Sequence, residues 1–81
     1  MNTQMPEATA LLDAPGTSCT ILTPLIRERI LPLASGEVLE VRSNDPSARE
    51  GVPAWSRLTG HPLLRIVEVD ASNTRFFIQR K

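Results

Sequence analysis

The residue best suited to chemistry in this 81-residue chain is Cys19, its only cysteine. It follows the turn signal Ala14-Pro15-Gly16, in which proline presets one backbone angle and glycine tolerates a positive one. A short apolar strand is predicted before the turn, and apolar residues recur at helical spacing after it. A thiol where a loop leads into a helix lies near unpaired backbone N–H groups and the positive end of the helix dipole. That setting favours the reactive thiolate, whereas the alternative reading of Cys19 is a small buried apolar residue.

The start of this first helix decides how close Cys19 lies to the positive helix end. Pro24 has no N–H and is best tolerated in the first turn, so Thr23 is a candidate N-cap with Pro24 as the first helical residue. Thr20 is the competing N-cap, which would place Cys19 directly at the helix end. Arg27 lies about two turns beyond Cys19, either on a solvated polar face or where it helps a partner to dock near the thiol.

Two other residue types that support catalysis have simpler explanations. Asp45 precedes Pro46, which is the pattern of a helix cap followed by a first helical proline. His61 lies beside Pro62 between a helix and a strand, where a surface or turn position is expected. The chain has no second histidine for a catalytic triad and no glycine-rich phosphate loop.

Composition excludes several classes of function. The formal net charge is zero, so no global charge attracts nucleic acid or an anionic membrane. One cysteine forms no internal disulfide, which suits a reducing cytosol, and one cysteine with one histidine is too few for a cysteine-ligated zinc site. We expect no signal peptide at the start of this sequence, and it contains no apolar run of about 20 residues that could span a membrane.

Periodicity and turn signals predict one small α+β domain. Residues 1–8 are expected to form a disordered N-terminal tail, and residues 9–81 a two-layer β-α-β-α-β-β sandwich. Its two helices pack on one face of a four-stranded mixed sheet, and the opposite face is left partly open for a partner. The predicted elements after the first helix are a strand over Glu37–Ser43, a helix over Ser47–Leu58, and a hairpin of Leu63–Val69 and Thr74–Arg80.

Side-chain placement within these elements can also be predicted. We expect Val38, Leu39 and Val41 to face the core. Trp55 and Leu58, three residues apart on the second helix, are expected on one core-facing side. Pro53 kinks or splits this helix, and Gly60 ends it in a left-handed conformation.

Several motifs in register over nearly the whole chain resemble the TusA/SirA-like sulfur-carrier family. They are Leu12-Asp13-Ala14-Pro15-Gly16-Thr17-Ser18-Cys19, Gly36-Glu37-Val38-Leu39, Asp45-Pro46, Val52-Pro53-Ala54-Trp55 and Thr59-Gly60-His61-Pro62-Leu63-Leu64. The resemblance implies the same β-α-β-α-β-β sandwich and a persulfide carried on Cys19. It also implies a sulfur donor protein of the cysteine desulfurase kind and a sulfur acceptor protein, with tRNA thiolation among the family's uses. No metal or cofactor is implied.

The chain departs from the family pattern beside the cysteine. The family signature is Cys-Pro-x-Pro, whereas this chain has Cys19-Thr20-Ile21-Leu22, and Pro15 replaces the usual arginine before the turn glycine. The leading hypothesis is a monomeric cytoplasmic sulfur carrier that uses Cys19, with Thr20 and Arg27 as candidate partner-binding residues. The alternatives are a binding or regulatory module that has lost sulfur transfer, and a thiol redox sensor.

Overall fold

The computed structural model describes residues 8–14, 16–70 and 72–81, with Cys19 described through its backbone only. The order of elements is the predicted β-α-β-α-β-β. Their bounds are β1 (Ala10–Asp13), α1 (Cys19–Ile30), β2 (Val38–Ser43), α2 (Ala48–Thr59), β3 (Leu63–Glu68) and β4 (Thr74–Gln79). The α+β class is confirmed. The predicted tail, residues 1–8, lies outside the described residues except for Ala8.

The four strands form one mixed sheet in the order β1-β2-β4-β3. β1 and β2 are parallel, and β4 is antiparallel to both of its neighbours, β2 and β3. Because α1 and α2 each follow a strand and return along the sheet, both helices begin at the edge where β1, β2 and β3 end. We call this edge the cysteine end, since the loop that leads to Cys19 leaves β1 there.

The core lies between the two helices and one face of the sheet. On α1 the apolar residues Leu22, Ile26 and Ile30 recur every four residues and are fully buried. The strand residues of the same cluster alternate along their strands, as expected when one sheet face is covered: Leu12, Leu39, Val41, Phe76 and Ile78. The predicted arrangement of both helices on one face is therefore confirmed.

Two predicted core positions are wrong. Val38 is buried, but it lies on the sheet face opposite the helices, because neighbours along a strand point to opposite faces and Leu39 points to the helices. Leu58 is 86% exposed. The buried residues of α2 are Ala48, Val52 and Ser56, which recur every four residues along one side of the helix. Leu58, three positions beyond the partly buried Trp55, lies outside this stripe.

Both helices contain a proline and are nevertheless continuous. Pro24 in α1 and Pro53 in α2 are each the sixth residue of their helix. Pro53 therefore does not split α2 into two pieces.

Gly60 ends α2 with φ at 85°, which confirms the predicted left-handed cap. In the described part of the chain, no helix has the length and apolar content that a membrane crossing requires.

Candidate functional site

The first helix begins at Cys19, with Ser18 as the N-cap. Neither predicted N-cap is correct, although the early start at Thr20 is much closer than the late start at Thr23. The carbonyl of Ser18 accepts hydrogen bonds from the N–H groups of Ile21 at 3.0 Å and Leu22 at 2.8 Å. Pro24 therefore lies inside the helix and not at its first position.

Burial of Leu22 explains the early start. Leu22 is fully buried and precedes Pro24, so a helix that began at Thr23 would leave Leu22 outside the regular turn. Burying a leucine side chain contributes roughly 1.5–3 kcal/mol, which is comparable with the cost of about 3 kcal/mol for an interior proline. The hydrogen bonds that the Ser18 carbonyl accepts further stabilise the early start of the helix. The core therefore outweighs the local preference of proline for a first turn.

The position of Cys19 as the first residue of α1 has an electrostatic consequence. The first-turn N–H groups of a helix have no intrahelical partner, and they carry the positive end of the helix dipole. The first turn of α1 contains no acidic residue that would oppose this field. A cysteine at such a position has its thiolate favoured. The Cys19 side chain itself lies outside the described residues.

The loop that leads to Cys19 is fastened to the connection between β2 and α2. The N–H of Gly16 donates to Oδ1 of Asn44 at 2.6 Å, and Gly16 has φ at 77°, which favours glycine. At its start, the buried Ala14 donates its N–H to the carbonyl of Arg42 at 3.0 Å. An open cavity of about 260 Å³ lies beside this loop and is lined by Gly16, Thr17, Ser18, Asn44 and Asp45. The contact of Asn44 with this loop was not predicted, since an asparagine after a strand carries no specific signal for it.

Thr20 and Arg27 lie on one exposed stripe of α1. They are seven residues apart, which places them on the same side of the helix at about 10 Å along its axis. Pro24, also exposed, lies between them, and Ile21 beside them is 59% exposed. The hydroxyls of Ser18 and Thr20 form a hydrogen bond at 2.9 Å. Thr20 and Arg27 therefore share one exposed stripe of α1, and this stripe begins at the residue that follows Cys19.

The N-cap of α2 is Ser47, so the prediction that Asp45 caps this helix is wrong, although the turn before the helix is ordered by Asp45. Its Oδ1 accepts the N–H of Ser47 at 3.0 Å, and its carbonyl accepts the N–H of Ala48 at 3.0 Å. Pro46 and Ser47 form a turn before α2, so Pro46 is not the first residue of the helix. The Asp45 side chain thus organises the start of α2 at the cysteine end.

His61 is a turn residue as predicted, but the expectation that it lies on the surface is wrong. It is 5% exposed and stacks on Trp55 with the ring centroids 5.6 Å apart. Its Nδ1 accepts the backbone N–H of Lys81 at 3.2 Å. Burial lowers the pKa of His61, and the positive charges of Arg80 and Lys81 lower it further. Because His61 precedes the start of β3, it lies at the edge of the sheet opposite the cysteine end.

A charged cluster on the sheet face away from the helices was missed at the sequence level. Glu40 contacts both Arg42 and Arg75 there. The signal was present in β2, because Glu40 and Arg42 alternate with the core residues Leu39 and Val41. Their pairing with Arg75 depends on the register between β2 and β4, which no local pattern reveals.

The chain matches known proteins over nearly its whole length. The family model described as "Sulfurtransferase TusA" matches residues 10–80. A "Sulfur carrier protein TusA" from Pseudomonas putida F1 is 35% identical over 72 residues, which cover 89% of each chain. A "Putative sulfur carrier protein YrkI" from Bacillus subtilis 168 is 33% identical over 70 residues, covering 86% of this chain and 92% of the other.

A solved structure supports the fold independently. The crystal structure of a SirA-like protein from Desulfitobacterium hafniense superposes with a TM-score of 0.76 at 19% sequence identity. The match covers 88% of this chain and 96% of the other. At this identity the likeness concerns the fold alone, and it agrees with the two-layer β-α-β-α-β-β arrangement.

Proposed function

This chain belongs to the sulfurtransferase TusA family, and we propose that it is a sulfur carrier that holds sulfur as a persulfide on Cys19. The observation that supports the choice of residue is the start of α1 at Cys19, which puts this residue at the positive helix end. The comparisons do not favour the alternatives of a binding module or a redox sensor.

The proposed reaction is a thiol–persulfide exchange in two steps. The Cys19 thiolate attacks the outer sulfur of a donor persulfide, the sulfur–sulfur bond of the donor breaks, and the donor leaves as a thiolate. An acceptor thiolate then attacks the outer sulfur on Cys19 and restores the Cys19 thiolate. Neither step changes the net oxidation state, so the exchange itself consumes no external oxidant or reductant. The donor is proposed to be of the cysteine desulfurase kind, and the carrier to act as a cytoplasmic monomer on a single domain of residues 9–81.

Intact-mass spectrometry tests the persulfide. The full chain is incubated with a cysteine desulfurase and cysteine, and we expect its mass to increase by one sulfur atom. Treatment with a small thiol should remove this adduct. Cys19→Ser is the matched control and is expected to remain unmodified. No adduct on the wild-type chain, or the same adduct on Cys19→Ser, would contradict the proposal.

The dependence of alkylation rate on pH tests whether the Cys19 thiol is activated. The field at the start of α1 predicts a half-maximal rate below the pH of about 8.5 that is typical of a free thiol. A half-maximal rate at about 8.5 or above would contradict the proposed activation. Alkylation of the unfolded chain in denaturant gives the reference pH profile for the same thiol without the folded helix.

The exposed stripe of Thr20 and Arg27 is proposed to contact the donor. Reversing the charge in Arg27→Glu is expected to slow persulfide loading about two- to fivefold, because exposed charges at an interface mainly change the association rate and contribute up to about 1 kcal/mol. Arg29→Glu is the matched control, since Arg29 is also exposed but lies on another side of α1. Equal slowing in both variants would show that only net charge matters and would remove Arg27 from the proposed interface.

A further inference from the structure

A row of three charged residues crosses the open sheet face near the cysteine end. Asp13 of β1 pairs with Arg42 of β2, and Arg42 pairs with Arg75 of β4. Like charges directly opposite each other on neighbouring strands are destabilising. Glu40 offsets this repulsion because it contacts both arginines, so two guanidinium groups lie side by side on this face.

Glu40 holds the two arginines in place from one side. Its Oε2 accepts a hydrogen bond from Nε of Arg42 at 2.8 Å and lies 3.6 Å from Nε of Arg75. The Glu40 side chain is 12% exposed, and its partners across the sheet are the apolar Leu11 and Phe77. The hydrogen bond with Glu40 raises the pKa of Arg42, and its charge and that of Asp13 act in the same direction.

The terminal nitrogens of both guanidinium groups remain available. Within the described residues they make no hydrogen bond, and the contacts of both groups with Glu40 run through Nε. Asp13 likewise forms no ion pair with a basic group of the described part. Unused guanidinium donors fixed by a shared carboxylate form a preorganised fork for an oxygen anion.

A cavity of about 250 Å³ lies over this row. Its described lining consists of Asp13, Arg42, Ser43, Val69, Asn73, Thr74 and Arg75. Glu40 is not part of the lining, so the charged groups that face the cavity are two guanidiniums and one carboxylate. This excess of one positive charge favours an anion over a cation. Including Glu40 the four groups sum to zero, so affinity must come from hydrogen-bond geometry and will be modest.

We propose that this cavity is a binding site for a small oxygen anion, either a carboxylate or an inorganic oxyanion, held by the terminal nitrogens of Arg42 and Arg75. Charge-assisted bonds to a guanidinium fork are about twice as strong as neutral ones. The expected dissociation constant is about 1 mM. The anion is either free in solution or a carboxylate presented by a partner protein. Anion binding at this site does not require sulfur transfer, so it can be tested independently of the role proposed for Cys19.

The site can be tested by NMR titration of the full chain with separate additions of sodium acetate, sodium sulfate and acetyl-aspartate amide. Sodium chloride at matched ionic strength is the reference for screening. We expect saturable shifts of the Arg42 and Arg75 Nε–H signals and of the Asn73 and Thr74 amides. Stronger binding of acetyl-aspartate amide than of acetate supports a carboxylate from a partner, and stronger binding of sulfate than of either supports a free oxyanion.

Two substitutions decide whether the shifts report this cavity. Arg75→Gln is expected to weaken binding about tenfold, because it removes one charge-assisted donor pair. Arg65→Gln is the matched control. Arg65 is exposed, pairs with Phe77 on the neighbouring strand and lies on the same sheet face as Arg75, but it does not line the cavity. Linear shifts equal to those caused by chloride, or equal weakening in the two variants, would overturn the proposal. Arg42→Gln repeats the test if Arg75→Gln does not fold.

Discussion

At the scale of single residues, the candidate sulfur site depends on backbone geometry more than on a catalytic side-chain array. Cys19 starts a helix, and the loop before it is held to a neighbouring connection through Gly16 and Asn44. His61 lies at the other edge of the sheet and has no part in this geometry. A sulfur relay requires an ionised, accessible thiol and no general acid–base pair. The start of α1 contributes the field that favours the ionised form.

Replacing Asn44 by alanine should loosen the loop that leads to Cys19. The variant leaves the N–H of Gly16 without its acceptor, and the loss of one hydrogen bond costs about 0.5–1.5 kcal/mol. We expect faster amide hydrogen exchange at Gly16 and a small fall in the free energy of unfolding. Asn44→Asp keeps an oxygen acceptor and should preserve the protection of Gly16. Unchanged exchange in Asn44→Ala would show that this bond does not hold the loop.

The lowered pKa of His61 makes stability depend on pH in a defined direction. The unfolded chain binds a proton near the ordinary pKa of 6.5, whereas the folded chain resists protonation until a lower pH. The unfolded state therefore holds more protons in this interval, and the free energy of unfolding should fall as pH decreases below about 6.5. The loss should be complete once pH passes the lowered folded value.

Denaturant unfolding between pH 8 and pH 5.5, the range in which histidine titrates, measures this slope. Arg80 and Lys81 are the other charged groups that act on His61. His61→Gln should be less stable at every pH because it loses the stack on Trp55, but its stability should depend less on pH. An equal slope in the variant would assign the effect to other groups.

At the scale of elements, core packing overrides local helix preferences in both helices. Pro24 and Pro53 each occupy the sixth helical position, where an alanine would donate to the carbonyl four residues earlier. α1 tolerates this loss because Leu22, Ile26 and Ile30 are fully buried on one side of it. The same stripe sets where α1 begins and thereby places Cys19 at its first position.

Pro24→Ala should stabilise the protein. Alanine is about 3 kcal/mol more favourable than proline inside a helix, and the greater freedom of the unfolded chain returns about 0.4–1 kcal/mol. The expected net gain is therefore about 2 kcal/mol in the free energy of unfolding, measured by urea titration. Pro32→Ala is the control, since the exposed Pro32 lies in the turn after α1 and its loss should only destabilise slightly. A loss of stability in Pro24→Ala would contradict this account.

At the scale of the whole molecule, the sheet face away from the helices is less open than a two-layer arrangement implies. Phe76 and Phe77 are neighbours in β4 and point to opposite faces, yet they are only 0% and 1% exposed. Phe77 pairs with Glu40 on one side and Arg65 on the other. The long side chains on this face, including those of the charged cluster, therefore shield the apolar Phe77 from solvent.

Phe77→Ala should be severely destabilising although Phe77 does not face the helices. Removing a fully buried phenylalanine costs about 3–5 kcal/mol, and we expect a loss of that size in urea unfolding. Leu64→Ala is the comparison, because Leu64 is 43% exposed in the edge strand β3 and should cost about 1 kcal/mol. A similar cost for both would mean that Phe77 is not packed as described.

The sequence by itself determined the order of elements, the α+β class and the family, because periodicity, turn residues and motif order are local properties of the chain. It also identified Cys19 as the candidate nucleophile. Only the tertiary structure decided the start of α1, the burial of His61 and the exposure of Leu58. Each of these depends on which side chains the core can bury, and the meeting of Arg42 with Arg75 depends on strand register. Such long-range choices leave no trace in any short stretch of residues.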